Sequence, residues 1–189
     1  ASDSGRSLVG EQVQALIERE QGGMVIGTAR RGSFVLDTAA TALRQIPVDP
    51  LGVAGDEVQP SVLALLQPRA DVLWIAAFGG IDVIDAEDFH LVRRIRPDPA
   101  VGSSLAHDQV RALLRDSAGQ IWIGGYGGGL QRHDPANEAI GILRHSPGRA
   151  HTLSSPSVSS VLEIDPGTLW IGTNGNGVDV WARQRGVIA

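Results

Sequence analysis

Short runs of alternating apolar and polar residues recur along this chain, Ile81-Asp-Val-Ile84 and Val178-Asp-Val-Trp181 being the clearest. A period of two places successive side chains on opposite faces of an extended strand. Two further patterns return at fixed intervals. The first reads Val13-Gln-Ala-Leu-Ile17, Val62-Leu-Ala-Leu-Leu66, Val110-Arg-Ala-Leu-Leu114 and Val158-Ser-Ser-Val-Leu162, with starts 49, 48 and 48 residues apart. The second reads Val25-Ile-Gly-Thr28, Trp74-Ile-Ala-Ala77, Trp122-Ile-Gly-Gly125 and Trp170-Ile-Gly-Thr173, at the same 49, 48 and 48. Two independent patterns in one register establish an internal repeat.

Each repeat reads as four strands. The Val-led run is the first, closed by a turn such as Asp116-Ser-Ala-Gly119 or Asp165-Pro-Gly167. Aspartate supplies a side-chain acceptor there and glycine a permissive backbone. The Trp-Ile-Gly run is the second, and its aromatic and β-branched residues suit a strand. A glycine-rich connection, Gly127-Gly-Gly129 or Asn174-Gly-Asn-Gly177, leads to the alternating third strand. Leu91-Val-Arg-Arg-Ile95 and Ile140-Gly-Ile-Leu-Arg144 supply the fourth. Thr38–Arg44 has helix propensity, but register puts Ala42–Ile46 on a fourth strand, and a repeat outweighs local propensity.

Four antiparallel strands in about 48 residues predict an all-β chain built of β-propeller blades. An α-solenoid of similar period needs helical periodicity, which the glycines and alternating strands deny. The expected organisation is a single β-propeller segment over 1–189, with repeats at 7–55, 56–103, 104–151 and 152–189. A blade buries its faces only against neighbours. Both ends of the chain fall at the same phase of the repeat, so the expectation is a partial propeller, completed by further blades of a parent chain or by self-association.

Composition narrows the function classes. Cysteine is absent, which removes disulfides, thiolate metal sites and a cysteine nucleophile. All 16 basic residues are arginines, and the net charge is −5 with no basic cluster, so no nucleic-acid partner is expected. Arginine without lysine, beside abundant alanine, fits a GC-rich bacterial genome. No apolar run approaches the 18 or so residues of a membrane helix, so this segment is not expected to contact a membrane.

Ser104-Leu-Ala-His-Asp-Gln-Val110, Asp116-Ser-Ala-Gly-Gln-Ile-Trp-Ile-Gly124 and Gly128-Gly-Leu130 through Asp134 form a combined motif, repeated as Thr152-Leu-Ser-Ser-Pro-Ser-Val158 and Leu169-Trp-Ile-Gly-Thr173. It resembles the two-component regulator propeller repeat over nearly the whole chain. The first repeat departs, with Met24-Val25 in place of Leu-Trp and Arg30-Arg31 in the glycine loop; the second has Ala76-Ala77 in place of Gly-Thr. The resemblance implies a non-catalytic sensory input domain, periplasmic, in an inner-membrane histidine kinase or diguanylate cyclase of bacteria. It also implies a small-molecule or oligosaccharide ligand. A protein-interaction scaffold is the alternative, and a metal-dependent propeller lyase using a histidine is a third reading.

Trp74, Trp122 and Trp170 recur at one strand position and are expected in the packing between blades. Four residues after each second-strand start stand Ala29, Phe78, Tyr126 and Asn174, residues that vary inside a constant frame. Loops of this kind carry recognition. Arg31, Phe78, Tyr126, Asn174 and Asn176 are therefore the candidate ligand-binding residues, the aromatic rings to stack on a sugar and the others to bond its hydroxyls. No catalytic residue, cofactor or metal site is expected. The glycine loops lack the lysine of a phosphate-binding loop, and no histidine pair has zinc-ligand spacing. Ser154-Ser-Pro-Ser157 falls in a connection between blades with no base assigned to it, and His133-Asp134 reads as a surface pair at a strand end.

Overall fold

The structure, a computed structural model, describes residues 7–39, 42–47, 61–98, 100–101, 104–134 and 140–187. Sixteen strands form four four-stranded antiparallel sheets, each with its strands in sequence order. Blade 1 comprises β1 (Val13–Glu18), β2 (Met24–Thr28), β3 (Ser33–Leu36) and β4 (Leu43–Gln45). Blade 2 comprises β5 (Val62–Arg69), β6 (Val72–Ala77), β7 (Gly80–Asp85) and β8 (Leu91–Ile95). Blade 3 comprises β9 (Val110–Arg115), β10 (Ile121–Gly125), β11 (Gly129–His133) and β12 (Ile140–Leu143). Blade 4 comprises β13 (Val158–Asp165), β14 (Thr168–Thr173), β15 (Gly177–Ala182) and β16 (Gly186–Val187). The fold is that of β-propeller blades, and no helix is present among the described residues. Leu43–Gln45 is a strand, so the repeat register prevailed over local helix propensity.

The blades form two compact units, Ala1–Ile95 and Arg96–Ala189. In each unit the same device joins its two blades. Every first strand carries a β-bulge just after its opening valine, at Val13/Ala15, Val62/Ala64, Val158/Ser160 and opposite Gly124/Gly125. The extra residue re-aims the valine relative to the rest of the strand. In the first unit Val62 of blade 2 fits against Gly27 of blade 1, where an added Cβ would lie 2.5 Å from Val62 Cγ1. In the second unit Val158 meets Gly124, with a corresponding distance of 2.6 Å. The glycine of the Trp-Ile-Gly run is thus a socket for a valine of the following blade.

Beside each socket lies the large residue two positions earlier. Trp122 and Trp181 meet edge to face, with centroids 4.7 Å apart, in a cluster with Leu130, Leu153, Val158, Leu169 and Ile171. The register-matched pair in the first unit is smaller, Val25 and Ile84. Phe89 joins that cluster from the turn after β7 and carries the guanidinium groups of Arg19 and Arg44 at 5.4 and 4.8 Å from its ring. Phe89 has φ 65°, a strained conformation for a non-glycine residue, and is held there by complete burial.

A second device crosses between blades at the first turn. Gln67 Oε1 accepts the Glu20 backbone N–H at 3.0 Å, and the register-matched Glu163 Oε2 accepts the Ser117 N–H at 2.6 Å. Glu163 Oε1 also accepts the Ser117 hydroxyl and the Gly167 N–H, each at 2.9 Å.

The expectation for the tryptophans needs one correction. Trp74 and Trp122 are buried, but Trp170 is 47% exposed. Trp122 is covered because Trp181 of the following blade lies against it; among the described residues no such ring lies over Trp170. His133 also differs from its expected surface position. It pairs with Ile121 on one side and Ile140 on the other, a central-strand place that buries the imidazole.

Candidate functional site

The loops joining second to third strands hold all five candidate residues, and in the unit Arg96–Ala189 two of these loops share one support. Gly125 pairs with Gly129 across the Tyr126–Gly128 loop, and Thr173 with Gly177 across Asn174–Asn176. Gly127 and Gly129 have φ 79° and 71°, and Gly175 and Gly177 have 96° and 79°, values that only glycine adopts readily. The segment Ser154–Ser157 lies between the loops. Ser157 Oγ accepts the Gly127 N–H at 3.1 Å, and the Ser157 carbonyl accepts the Asn174 N–H at 3.0 Å. Ser155 Oγ donates to the Asn174 carbonyl at 3.3 Å. These serines are hydrogen-bonding supports, a role their sequence alone did not disclose.

Buried polar residues on the third strands fix the same segments. Asp179 Oδ2 accepts the Ser154 N–H at 2.8 Å. At the matching place in blade 3, Gln131 Oε1 accepts the Ala106 N–H at 2.8 Å and Gln131 Nε2 donates to the Ser104 carbonyl at 3.1 Å. Both side chains are buried, so each strand entry is secured where water does not compete. The sequence signal was available: a polar residue at an inward position of an alternating strand.

Tyr126 is 46% exposed, and the guanidinium of Arg111 stands 5.9 Å from its ring centroid. Asn174 is exposed on the adjoining loop, its backbone N–H and carbonyl engaged by Ser157 and Ser155. Asn176 is committed elsewhere, its Nδ2 donating to the Ser154 carbonyl at 2.5 Å. His107 packs beside Gly127 and Gly128, with Nδ1 2.7 Å from Asp108 Oδ1. A cavity of about 150 Å³ opens beneath the Gly127–Gly129 backbone, lined also by Ala106, Arg144, His145 and Pro156. Tyr126 and Arg111 thus form an exposed pair of one aromatic face and one cation, and Asn174 adds an exposed amide on the loop that shares their Ser154–Ser157 support. Such a set matches a sugar, whose C–H face stacks on a ring while its hydroxyls find donors and acceptors.

In the unit Ala1–Ile95 the other two candidates behave differently. Phe78 is 38% exposed on a two-residue loop, since Ala77 pairs directly with Gly80. Arg31 lies over the Phe34 ring at 5.0 Å, and its Nη1 donates to the Ser7 carbonyl at 2.9 Å. It covers a buried ring rather than presenting a free guanidinium.

A larger cavity in the second unit, about 340 Å³, sits at the opposite ends of the strands, around Ser117, Gly167, Arg183 and Arg185. It adjoins the Glu163 contact and includes none of the loop candidates. Among the described residues one side-chain cluster has metal-ligand spacing, Asp85, Asp88 and His90 at the β7–β8 turn. Its carboxylates act as turn caps: Asp85 Oδ1 accepts the N–H groups of Glu87 and Asp88 at 2.7 and 3.1 Å. His90 Nδ1 lies 2.5 Å from Asp88 Oδ1, which raises the imidazole above its usual value.

With this geometry in place, residues 104–127 match the family described as Two component regulator propeller. The matched segment resembles one two-component regulator propeller repeat. It runs from the Ser104 strand entry through the Asp116 turn and Trp122 to the Tyr126 loop, and so includes most of the candidate surface. No curated protein sequence matches the chain. Among solved structures, the chain is similar to the extracellular domain of BT4673 from B. thetaiotaomicron, described as a hybrid two component system, with TM-score 0.72 and 16% identity over 89% of this chain and 21% of that one. The extracellular domain of BT3049 from the same organism gives TM-score 0.69 and 22% identity, over 89% and 21%. The WD40 β-propeller domain of Doa1 gives 0.66 and 14%, over 93% and 53%. At these identities the likeness is one of fold. The chain spans about a fifth of the length of the two extracellular domains it resembles.

Proposed function

We propose that this chain is a non-catalytic sensory module: part of the extracytoplasmic, periplasmic propeller of a bacterial two-component receptor, where it binds a small molecule of the oligosaccharide class. The observation that carries this reading is the match of residues 104–127 to the two-component regulator propeller repeat, whose final loop presents Tyr126 beside Arg111, with Asn174 exposed on the adjoining loop. The fold likeness to extracellular domains of hybrid two component systems supports the location. Ligand held between the β10–β11 and β14–β15 loops would act on two blades through the shared Ser154–Ser157 support. Any preference for one blade packing over another would then shift the receptor's conformational population.

The test is a thermal-shift screen of neutral and acidic oligosaccharides against the chain, followed by calorimetry of any hit. A saturable rise in melting temperature is expected, since a ligand that binds only the folded state stabilises it by mass action. Tyr126→Ala should abolish that rise while leaving the unliganded melting temperature nearly unchanged. An oligosaccharide that binds Tyr126→Ala and the parent chain equally would remove this surface from the proposal. A stable protein complex insensitive to every saccharide would favour the scaffold reading instead.

A further inference from the structure

The junctions between blades 1 and 2 and between blades 3 and 4 differ in charge at one matched place. In the second unit Asp116, six residues after Val110, meets Arg183 of blade 4 at 3.4 Å, one anion for one cation. In the first unit the residue six after Val13 is Arg19. The place of Arg183 is held there by Ala86: the Ala86 N–H donates to the Asp71 carbonyl at 3.0 Å, as the Arg183 N–H donates to the Gly167 carbonyl at 2.9 Å. Arg44, paired with Val35 on β4, stands where Gly141, paired with Arg132, stands on β12. Where the second junction has a balanced ion pair, the first has two guanidinium groups.

Both groups are drawn to one spot. Arg19 Nη2 donates to the Ala86 carbonyl at 2.7 Å, and the Arg19 and Arg44 guanidiniums lie 5.4 and 4.8 Å from the centroid of the Phe89 ring. Burial, and after it the Arg44 charge, lower Arg19 from its usual value. The carboxylates of the adjoining turn are engaged elsewhere: Asp85 accepts the N–H groups of Glu87 and Asp88, and Asp88 holds His90. Glu87 is exposed. Among the described residues no carboxylate stands within ion-pair distance of Arg19 or Arg44. Phe89 meets the two cations from a left-handed backbone, φ 65°, and strain of this kind gathers at ligand clamps. Blades 1 and 2 are both present at this junction, and a blade packs only on its neighbours, so a further blade would cover other faces.

We propose that Arg19 and Arg44 form a binding site for a small oxyanion, a carboxylate, phosphate or sulfate group, at the junction of blades 1 and 2. Each guanidinium has a planar fork of N–H groups that fits a pair of oxygens. The anion supplies the charge that Asp116 supplies at the other junction. The Phe89 ring keeps water from one side of the cations, and this lower local dielectric strengthens their hold on an anion. The site does not depend on the saccharide reading of the Tyr126 loop.

Isothermal titration calorimetry of the chain with inorganic phosphate, sulfate and acetate, at constant ionic strength in chloride, tests this. Saturable binding of at least one of the three is expected, and the preference among them separates a tetrahedral from a planar group. Arg44→Met keeps an unbranched side chain over Phe89 and should weaken that binding about tenfold or more, the worth of one charge-assisted hydrogen bond. Arg19→Lys keeps the charge but not the fork, and should weaken it as well. Arg183→Met, in the second unit, should leave the affinity unchanged. Circular dichroism checks that each variant is folded. No saturable heat with any of the three anions up to about 50 mM overturns the proposal. So does an affinity unchanged in either Arg44→Met or Arg19→Lys, or one that is lost in Arg183→Met and kept in Arg44→Met.

Discussion

Asp116 Oδ2 accepts the indole N–H of Trp122 at 2.9 Å, and both side chains are buried. The same carboxylate organises the turn before it, Oδ1 accepting the N–H groups of Ala118 and Gln120 at 3.0 and 2.8 Å. Arg183 of blade 4 reaches Oδ2 at 3.4 Å. The spacing of aspartate and tryptophan in this repeat therefore has a physical basis: one residue shapes the hairpin and satisfies the polar edge of the ring that fills the space between blades.

Removing that carboxylate should cost more than removing the indole bond alone. Asp116→Ala leaves three buried or half-buried N–H donors without their acceptor, for an expected loss of about 3–5 kcal/mol. Trp122→Phe keeps most of the ring and gives up one charge-assisted bond, an expected loss of about 1.5–3 kcal/mol. Urea midpoints at constant m-value measure both. Equal losses in the two variants would mean that the turn bonds contribute nothing.

Glu163 should make the second unit sensitive to acid. Burial alone would raise its carboxyl, but the N–H groups of Gly167 and Ser117, the Ser117 hydroxyl and the Arg183 charge together hold it below the usual glutamate value of 4.5. A carboxylate depressed in the folded state binds fewer protons there than in the unfolded chain. Its stabilisation is thus complete above the ordinary glutamate range and is lost as pH falls through the lower, folded value. Glu163→Gln keeps the acceptor oxygen but not the charge, and should flatten the melting temperature between about pH 3 and 5, where the unfolded carboxyl titrates. An unchanged pH profile in that variant would assign the acid response to other groups.

Much of the fold was legible because each repeat states it again. The Val-led runs fall on first strands and the Trp-Ile-Gly-type runs, Val25-led in blade 1, on second strands in every blade, and the register correctly placed Leu43–Gln45 on β4. Trp170 misled because burial between blades depends on the neighbour and not on the strand that bears the residue. The bulge after each opening valine was hidden, since an extra residue common to all four repeats leaves no irregularity in their spacing. The contact made by Gln67 and Glu163 is interrupted in sequence by Arg115 at the matching place, so no pattern marked it. The loop candidates were found as variable positions, but variability does not distinguish the exposed Tyr126 from Arg31 and Asn176, whose side chains are engaged by neighbouring backbone.

His90 should titrate above the ordinary imidazole value of 6.5. Its main cause is the hydrogen bond to Asp88, whose own carboxyl is depressed by the His90 backbone N–H and side chain. A group raised in the folded state stabilises it at low pH and loses that effect as pH rises through the folded value. Histidine resonances followed by NMR give the midpoint directly. Asp88→Asn should return His90 to the ordinary range; a midpoint unmoved by that change would place the cause elsewhere.

The valine and glycine contact between blades 3 and 4 can be measured as a coupling. Gly124→Ala sets a methyl 2.6 Å from Val158 Cγ1 and 3.2 Å from Ala112 Cβ, so something must shift, at an expected cost of about 1–3 kcal/mol for overpacking. Val158→Ala empties the same space, at a cost of about 2 kcal/mol or more. Together the two changes relieve one another, since the new methyl occupies part of the volume the valine vacates. The double variant should be more stable than the sum of the single losses predicts, by about 0.5–3 kcal/mol. Gly141→Ala is the control: it lies on β12 without a positive φ, its nearest neighbour is the flexible end of Arg132 at 3.9 Å, and it should be close to neutral. Strict additivity of Gly124→Ala and Val158→Ala would show that the socket is not what joins these blades, and the Trp122–Trp181 contact and the Glu163, Arg183 and Ser157 bonds would then have to hold them.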